Sequence, residues 1–267
     1  MMPRKINDIN EYFELQGKYA VKGTFSNNYM LPDEVAGIIA RKGLSVANDE
    51  SNCWFFVRKE ADVDRVYFYL NDMQKGMPQG SERDLVTELL FRGNAGMPET
   101  EISYLEDNGF CLNLRRDQYA ASLPEITPCK AEYARSIEDA ASAVDLINGT
   151  FDRYSGDYIS ATDVEELFKT KSLLCAYNGT GQLQGVLHVT LSGRNAWVSH
   201  LVVDESSRGK GVARKLMNMF VTMAQENQCK RLMLWVQTKN IAARKLYENY
   251  GFAYTNKSTI SLIKTKD

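Results

Sequence analysis

Apolar side chains in the second half of the chain recur with two distinct spacings. Val212, Leu216, Met219, Phe220 and Met223 return every three or four positions, while Arg214, Lys215, Asn218 and Glu226 fall off that stripe. This is the period of an amphipathic helix that begins at Gly211. Ile137, Ala140, Val144 and Ile147 repeat the spacing behind Ser136, which with Asp139 three residues on predicts a helix N-cap. A short helix is expected over residues 163–169, and Asn240 predicts the cap of another that stops at Gly251. Residues 172–177, 185–191 and 196–203 read as strands joined by Asn/Gly turns, and 232–236 is a continuous apolar run, hence a buried strand. Strands over 129–135 and 258–263 complete an order of β-α-α-β-β-β-α-β-α-β. The fold class is α/β, of the α+β mixed-sheet kind, with helices on the sheet's faces.

The first half is patterned less clearly. Pro32-Asp33 opens a helix ending at Gly43, residues 54–57, 66–70 and 85–91 read as strands, and Pro98 opens a helix ending at Gly109. Tyr-Leu-Glu-Asp-Asn-Gly-Phe at 104–110 parallels Leu-Tyr-Glu-Asn-Tyr-Gly-Phe at 246–252, and each copy closes a helix and feeds a strand. All six prolines lie at or before Pro128, and Pro124 and Pro128 bracket a short extended stretch. The expected division is a smaller α+β domain at 1–122, a proline-containing linker at 123–128 and a second domain at 129–267.

Composition narrows the function classes. With 32 Lys+Arg against 34 Asp+Glu, the formal charge is −2, which argues against a protein built to grip nucleic acid or an anionic membrane. No apolar run is long enough to span a bilayer and residues 1–10 carry no apolar signal core, so the expected location is the cytoplasm. Five widely spaced cysteines and two histidines, without a C-x-x-C pair, predict neither a disulfide framework nor a metal site.

The chemistry concentrates in the stretch Leu201-Val-Val-Asp-Glu-Ser-Ser-Arg-Gly-Lys-Gly-Val-Ala213. A strand ends, a polar loop follows, and a helix starts within a glycine-rich run. The first N–H groups of a helix have no intrahelical partners and its dipole adds partial positive charge. Gly209 and Gly211 let a bulky anion approach the backbone, and Arg208 and Lys210 add formal charge, which together make a pyrophosphate cradle. The spacing fits neither a Walker A loop nor G-x-G-x-x-G. Read by itself, Arg-Gly-Lys-Gly is more often a solvated basic turn.

Arg208-x-x-Gly211-x-Ala213, after a strand ending Leu201-Val202-Val203, resembles the acyl-CoA signature Q/R-x-x-G-x-G/A of the GNAT superfamily of N-acetyltransferases. A separate segment, Asn-Ile-Ala-Ala-Arg-Lys-Leu-Tyr-Glu-Asn-Tyr-Gly-Phe at 240–252, is similar to the family's later motif N-x-x-A-x-x-L-Y-x-x-x-G-F. The resemblance covers about residues 129–264 and implies the GNAT acyl-CoA N-acyltransferase fold, acetyl-CoA as co-substrate, no metal, and acetyl transfer to a primary amine by direct attack on the thioester. It implies that the backbone of Leu201, Val202 and Val203 lies along the pantetheine arm, with the Val203 N–H aimed at the thioester carbonyl. The N–H groups of Arg208, Gly209, Lys210, Gly211, Val212 and Ala213 would hold the pyrophosphate, Asn240 would contact pantetheine, and Tyr247 would protonate the departing thiolate. Tyr247 also reads as an aromatic packed on the sheet, and Asn240 as an N-cap. Many GNAT proteins place a glutamate, a histidine or a bound water near the middle of strand 196–203. That strand has no acidic residue before Asp204, which leaves His200 as base or acceptor contact, or simply as a packed histidine. Strict alternation puts His200 on the face opposite Ser199 and Leu201 unless a bulge reverses the parity.

The first half lacks the signature, and Leu105 stands where the internal alignment places Tyr247. It reads either as a degenerate GNAT-like copy, as in tandem GNAT proteins, or as an unrelated α+β cap. The acceptor is expected to be an amine-bearing small molecule in preference to a protein, and the chain a monomer or a homodimer. The loop 151–160, with Asp152, Tyr154, Asp157 and Tyr158, corresponds to the family's variable acceptor side and is a candidate for holding a cationic amine. The competing functional class is a non-catalytic acyl-CoA-binding regulatory module.

Overall fold

A computed structural model describes residues 2–58, 63–78, 82–151, 153–154 and 158–266. In chain order the elements are β1 (Arg4–Lys5), α1 (Ile9–Tyr19), β2 (Phe25–Ser26), α2 (Pro32–Ala40), β3 (Leu44–Asn48), β4 (Cys53–Arg58), β5 (Val63–Leu70), β6 (Asp84–Arg92), α3 (Glu99–Asp107) and β7 (Cys111–Ser122). There follow α4 (Ile137–Asn148), α5 (Val164–Lys169), β8 (Leu173–Tyr177), β9 (Leu183–Ser192), β10 (Asn195–Val203), α6 (Val212–Glu226), β11 (Arg231–Gln237), α7 (Ile241–Glu248) and β12 (Ala253–Lys264). The chain forms two compact units, residues 1–115 with 258–267, and residues 116–257. The division falls within β7 and β12 rather than at the proline-containing stretch, because Arg116 to Ser122 pair residue for residue with β11 and thereby join the second unit.

In the first unit the strands run β1-β3-β4-β5-β6, with β2 added on β5. One face is closed by α1 and α2 over Tyr12, Val35, Ile38 and Phe55, and the other by α3 over Trp54, Phe68, Leu89 and Leu105. Strands β5 and β6 are parallel and pair from Val63↔Asp84 to Arg65↔Val86, after which β6 leaves. The space it vacates is filled by the chain itself. β2 pairs with the far end of β5, Phe25↔Leu70 and Ser26↔Tyr69, and the buried Asn27 follows it into the gap. Its side-chain amide accepts from Phe68 N–H at 2.8 Å and lies 3.2 Å from the Val66 carbonyl, 2.9 Å from Thr87 Oγ1 and 3.2 Å from the Glu88 carbonyl. One planar amide thus bridges both parted strands. The loop after β5 is satisfied in the same way. Asn52 Oδ1 accepts from the N–H of Asn71 (2.9 Å) and Asp72 (3.0 Å), and Asn108 Oδ1 from that of Met77 (2.6 Å).

In the second unit the order is β7-β11-β10-β9-β8, with only β10 and β11 parallel. Leu216, Phe220 and Met223 of α6, with Tyr247 of α7, pack on one face against Leu187, Val189, Ala196, Val198, Leu232 and Leu234. Ala140, Val144 and Ile147 of α4 pack on the other against Leu173, Cys175, Val186 and Val202. The Ser136 cap forms as its spacing predicts, its hydroxyl accepting from Asp139 N–H at 3.2 Å. The expected strand at 129–135 is reduced to a single bridge, Tyr133↔Leu174. Glu132 N–H is drawn to the Met219 sulfur at 3.2 Å, so the segment bonds to α6 as well as to β8 and no ladder develops. Both Gly-Phe helix ends adopt one geometry: Phe110 N–H bonds the Leu105 carbonyl at 3.0 Å and Phe252 N–H bonds the Tyr247 carbonyl at 3.2 Å, each over a glycine of positive φ. The sequence echo is therefore an echo of local structure.

Replacing Asn27 with Ala takes the partner from the Phe68 N–H and the Glu88 carbonyl, each worth about 1–3 kcal/mol when left unmade, while the Val66 carbonyl keeps its bond from Thr87 Oγ1. The thermal midpoint of Asn27→Ala should fall by several degrees. Asn27→Asp, which keeps the shape but removes the donors, should fall as far. Unchanged midpoints would show that the amide contributes nothing to closing the gap.

Candidate functional site

The parallel pair β10–β11 is in register only from Asn195↔Arg231 to Val198↔Leu234, although both strands continue. Just past that point β10 carries a bulge between Val198 and His200 against β9. The bulge changes which face each side chain meets. Ala196 and Val198 belong to the α6 face, yet His200 and Val202, two and four residues on, turn to the α4 face, and Leu201 and Val203 turn to α6. Ser199 Oγ lies 2.8 Å from Thr190 Oγ1, which stands on the α4 face with His188. The parity reversal allowed for a bulge is thus present.

The same registers orient the backbone. Asp204 N–H donates to the Gln184 carbonyl at 2.9 Å. Antiparallel strands alternate their hydrogen-bonded residues, so Val202 also turns its N–H toward β9, while Leu201 and Val203 turn theirs toward the side β11 has left.

A cavity of about 1080 Å³ occupies this parting of the strands. On the α6 face it is lined by Leu201, Val203, Arg208, Ala213, Val236, Asn240, Ala243 and Tyr247. On the α4 face it is lined by Thr190, Trp197, Ser199, Trp235, Gln237 and Arg116, with Thr150 and Phe151 at the end of α4. The second set follows from register: Trp197 lies opposite Met233, Trp235 lies two residues on and opposite Gln118, and Gln237 opposite Arg116, which keeps all of them on one face. The gap joins the two faces through the sheet.

On the α6 face, Gly209 and Gly211 both have positive φ, +74° and +80°, and a Cβ on either would meet open space. The loop thus presents backbone to the cavity side of the helix start, and Gly211 occupies the N-cap in the left-handed region. Gly185 fixes how near α6 comes to the sheet. A Cβ there would lie 2.7 Å from the Val202 carbonyl and 3.1 Å from Val212 Cγ1, so any larger residue would push the start of α6 outward. Asp204 opens the loop, its Oδ1 accepting from Ser206 N–H at 3.0 Å; the Ser206 hydroxyl and this N–H hold its carboxyl below the usual range. Arg208 bonds Glu205 Oε1 at 3.2 Å and the Val203 carbonyl at 3.4 Å, so its guanidinium stays beside the strand end.

Asn240 lines the cavity and also caps α7, its Oδ1 accepting from Ala243 N–H at 3.0 Å. Tyr247 is buried at the cavity wall, and burial pushes its phenol up to about 12, so it keeps its proton through the physiological range. Tyr250 ties α7 to α6 by bonding Asn218 Oδ1 at 2.6 Å and the Arg214 carbonyl at 3.0 Å, which holds Tyr247 in place.

Of the expected site residues, Leu201, Val202, Val203, Arg208, Ala213, Asn240 and Tyr247 line the cavity; Gly209, Lys210, Gly211 and Val212 form the adjoining loop and helix start. His200 does not line it. Its ring is buried, stacked 5.3 Å from His188 with Nδ1 atoms 3.1 Å apart, and edge-on to Phe151 at 5.1 Å. Phe151 reaches the cavity, and His200 lies behind it. Asp152 and Asp157 of the acidic loop lie outside the described residues, and Tyr158 is exposed. Trp197, Ser199, Trp235, Gln237 and Arg116 escaped the sequence reading; the signal for them was period-two alternation of aromatic and polar residues with Ala196, Val198, Leu234 and Val236.

Among the described residues no cluster of His, Cys, Asp and Glu could hold a metal ion, and no helix is long and apolar enough to cross a membrane.

The family model for the acetyltransferase (GNAT) family matches residues 143–252. The chain is 36% identical over 56 residues to N-alpha-acetyltransferase 30 of Saccharomyces cerevisiae, a stretch covering 21% of this chain and 32% of that one. It is 32% identical over 59 residues to the spermine/spermidine N(1)-acetyltransferase of Bacillus subtilis, covering 22% of this chain and 39% of that one. The match thus spans 32% and 39% of the length of these two curated relatives. A tandem GNAT protein from the clavulanic acid biosynthesis pathway shares the fold over 99% of this chain and 97% of its own, with a TM-score of 0.58 at 14% identity. The match runs from α4 through α7 and includes every cavity-lining residue but Arg116, so this segment of the second unit carries a GNAT-family acetyltransferase domain.

Proposed function

We propose that the second unit transfers an acetyl group from acetyl-CoA to a primary amine. The observation that carries this reading is the cavity itself: it runs through the sheet at the β10–β11 parting, with a glycine-built cradle and a buried phenol on one face and a polar, aromatic face on the other. When bound there, acetyl-CoA supplies an activated acyl thioester.

The protein's own groups then have defined tasks. The backbone from Arg208 to Ala213, at the positive end of α6, holds the pyrophosphate, and the Leu201 and Val203 N–H groups pair with the extended pantetheine arm. The Val203 N–H stabilises negative charge developing on the thioester oxygen. As the nitrogen–carbon bond forms and the carbon–sulfur bond breaks, one amine proton passes to water and Tyr247 presents its O–H to the sulfur. A thiol titrates near ~8.5, well below this phenol, so Tyr247 works chiefly as a hydrogen-bond donor to the developing thiolate and the final proton comes from solvent. A buried His200 behind Phe151 leaves amine deprotonation to water within the cavity.

Acetyl-CoA should raise the thermal midpoint, since a ligand that binds only the native state stabilises it by mass action. Gly211→Glu sets an anion in the cradle and should abolish that rise. Gly211→Ala, which adds only the left-handed strain of about 1–2 kcal/mol, should lower the midpoint yet keep the shift. Protection that persists in Gly211→Glu would remove the cradle from the proposal.

Tyr247→Phe keeps the ring and its 5.9 Å contact with Phe252 while deleting one hydroxyl. Its kcat should fall about tenfold to a hundredfold, the low end of general-acid effects, with acetyl-CoA affinity unchanged. Full turnover in this variant would end the Tyr247 assignment. A protein that binds acetyl-CoA but releases no CoA with any of a broad panel of amines would instead be a binding module.

A further inference from the structure

We propose that the acceptor amine carries a planar apolar ring, and that Trp197 and Trp235 are the residues that select it. The inference rests on the acetyltransferase reading of the same cavity and assigns its α4 face. The chain has three tryptophans. Trp54 is 1% exposed in the core of the first unit, whereas Trp197 and Trp235 are only half-buried and both line the cavity. Register explains where they stand. Trp197 lies opposite Met233, one pair before the β10–β11 ladder ends, and Trp235 follows Leu234, the last residue of β11 to pair with β10. One indole therefore sits on each lip of the parting. Both are on the face away from α6, against which Ala196, Val198, Leu234 and Val236 are packed. α4 covers the other end of that face, over Val186 and Val202.

Apolar area decides what such a wall gains from an occupant. Tryptophan offers the largest apolar surface of any side chain, and the gain grows with the area an occupant removes from water. A flat ring covers an indole face more fully than a flexible chain and loses less conformational freedom in doing so. Phe151 adds a third aromatic at the end of α4, while the hydroxyls of Thr190 and Ser199, 2.8 Å apart, and the Gln237 amide supply neutral polar contacts beside the rings. Polar groups set among aromatic ones suit a small molecule whose body is apolar and whose orientation matters. With its ring on the indoles, the acceptor turns its amine toward the strand gap. The competing occupant is an ammonium held on the indole faces. The attacking nitrogen has to be neutral, so that ammonium would be a second nitrogen of the same acceptor, as in a polyamine. It would give up hydration that an apolar ring does not have.

Amines of one charge test this, whatever charge the groups around the face carry: phenethylamine, 2-cyclohexylethylamine and butylamine, with spermidine alongside, each followed by CoA thiol release. Phenethylamine should show kcat/KM at least about tenfold above butylamine, from the added apolar area. It should exceed 2-cyclohexylethylamine, which matches it in bulk but lacks the flat face, by about two- to tenfold. Trp197→Ala and Trp235→Ala should each lower kcat/KM for phenethylamine about tenfold more than for butylamine, mostly through KM, and Trp197→Phe should recover part of that difference. A readout free of turnover uses the unaltered protein: phenethylamine added to the CoA complex should change the tryptophan emission, and butylamine should not. Turnover with spermidine, butylamine or 2-cyclohexylethylamine that matches that with phenethylamine overturns the assignment. So do equal losses for both amines in the Ala variants, or an emission that phenethylamine leaves unchanged. Acetyl-CoA protection measured in the same samples separates the two levels: its absence overturns the acetyltransferase reading, and its presence without a ring preference overturns only this inference.

Discussion

Two parallel strands, β10 and β11, agree in register for four residues and then part, and the rest of the second unit is arranged around that parting. Parallel strands that stop pairing leave N–H and C=O groups without ladder partners, and such groups inside a domain must be met by something. Here they face a cavity. The bulge at the same level turns His200 and Val202 to one face and Leu201 and Val203 to the other, so the gap has an apolar, backbone-lined side and a polar side. Removing the bulge would put His200 into the α6 packing and exchange the two linings.

The helix that supplies the cradle depends on an absent side chain elsewhere. α6 sits close enough to the sheet that Gly185, on a different strand, has no room for a methyl group. Its N-terminal N–H groups are thereby held next to the strand end where Arg208 stays bonded to the Val203 carbonyl. Positioning of the proposed anion site thus comes from packing density, while its charge would come from backbone dipoles and one or two exposed basic residues.

Much of this unit was legible because its signals are local. A cap such as Ser136 or Asn240, a helical stripe such as Val212 to Met223, and a motif such as 240–252 each depend on residues a few positions apart. What escaped was nonlocal. β7 hides because Arg115, Arg116 and Asp117 interrupt its alternation, and it becomes a strand through pairing with its neighbours, over Arg116 to Ser122 with β11. α1 has just two buried residues, Tyr12 and Tyr19, too few for a periodic stripe. The polar face of the cavity could not be assembled from sequence, since it takes residues from β7, β9, β10 and β11 whose adjacency is set by register alone. His200 shows the converse: a residue of suitable chemistry, one position from the gap, that the bulge turns away beneath Phe151.

The first unit repeats the parting of parallel strands and answers it differently, with Asn27 bonded to both edges. An occupant joined to its site by the main chain has an effective concentration fixed by the fold and independent of anything in solution. The two halves of the molecule therefore differ in what they can sense. On the proposed reading, supply of a diffusible ligand changes the occupancy of the gap in the second unit, whereas the gap in the first is filled by the chain's own Asn27 as soon as the chain folds.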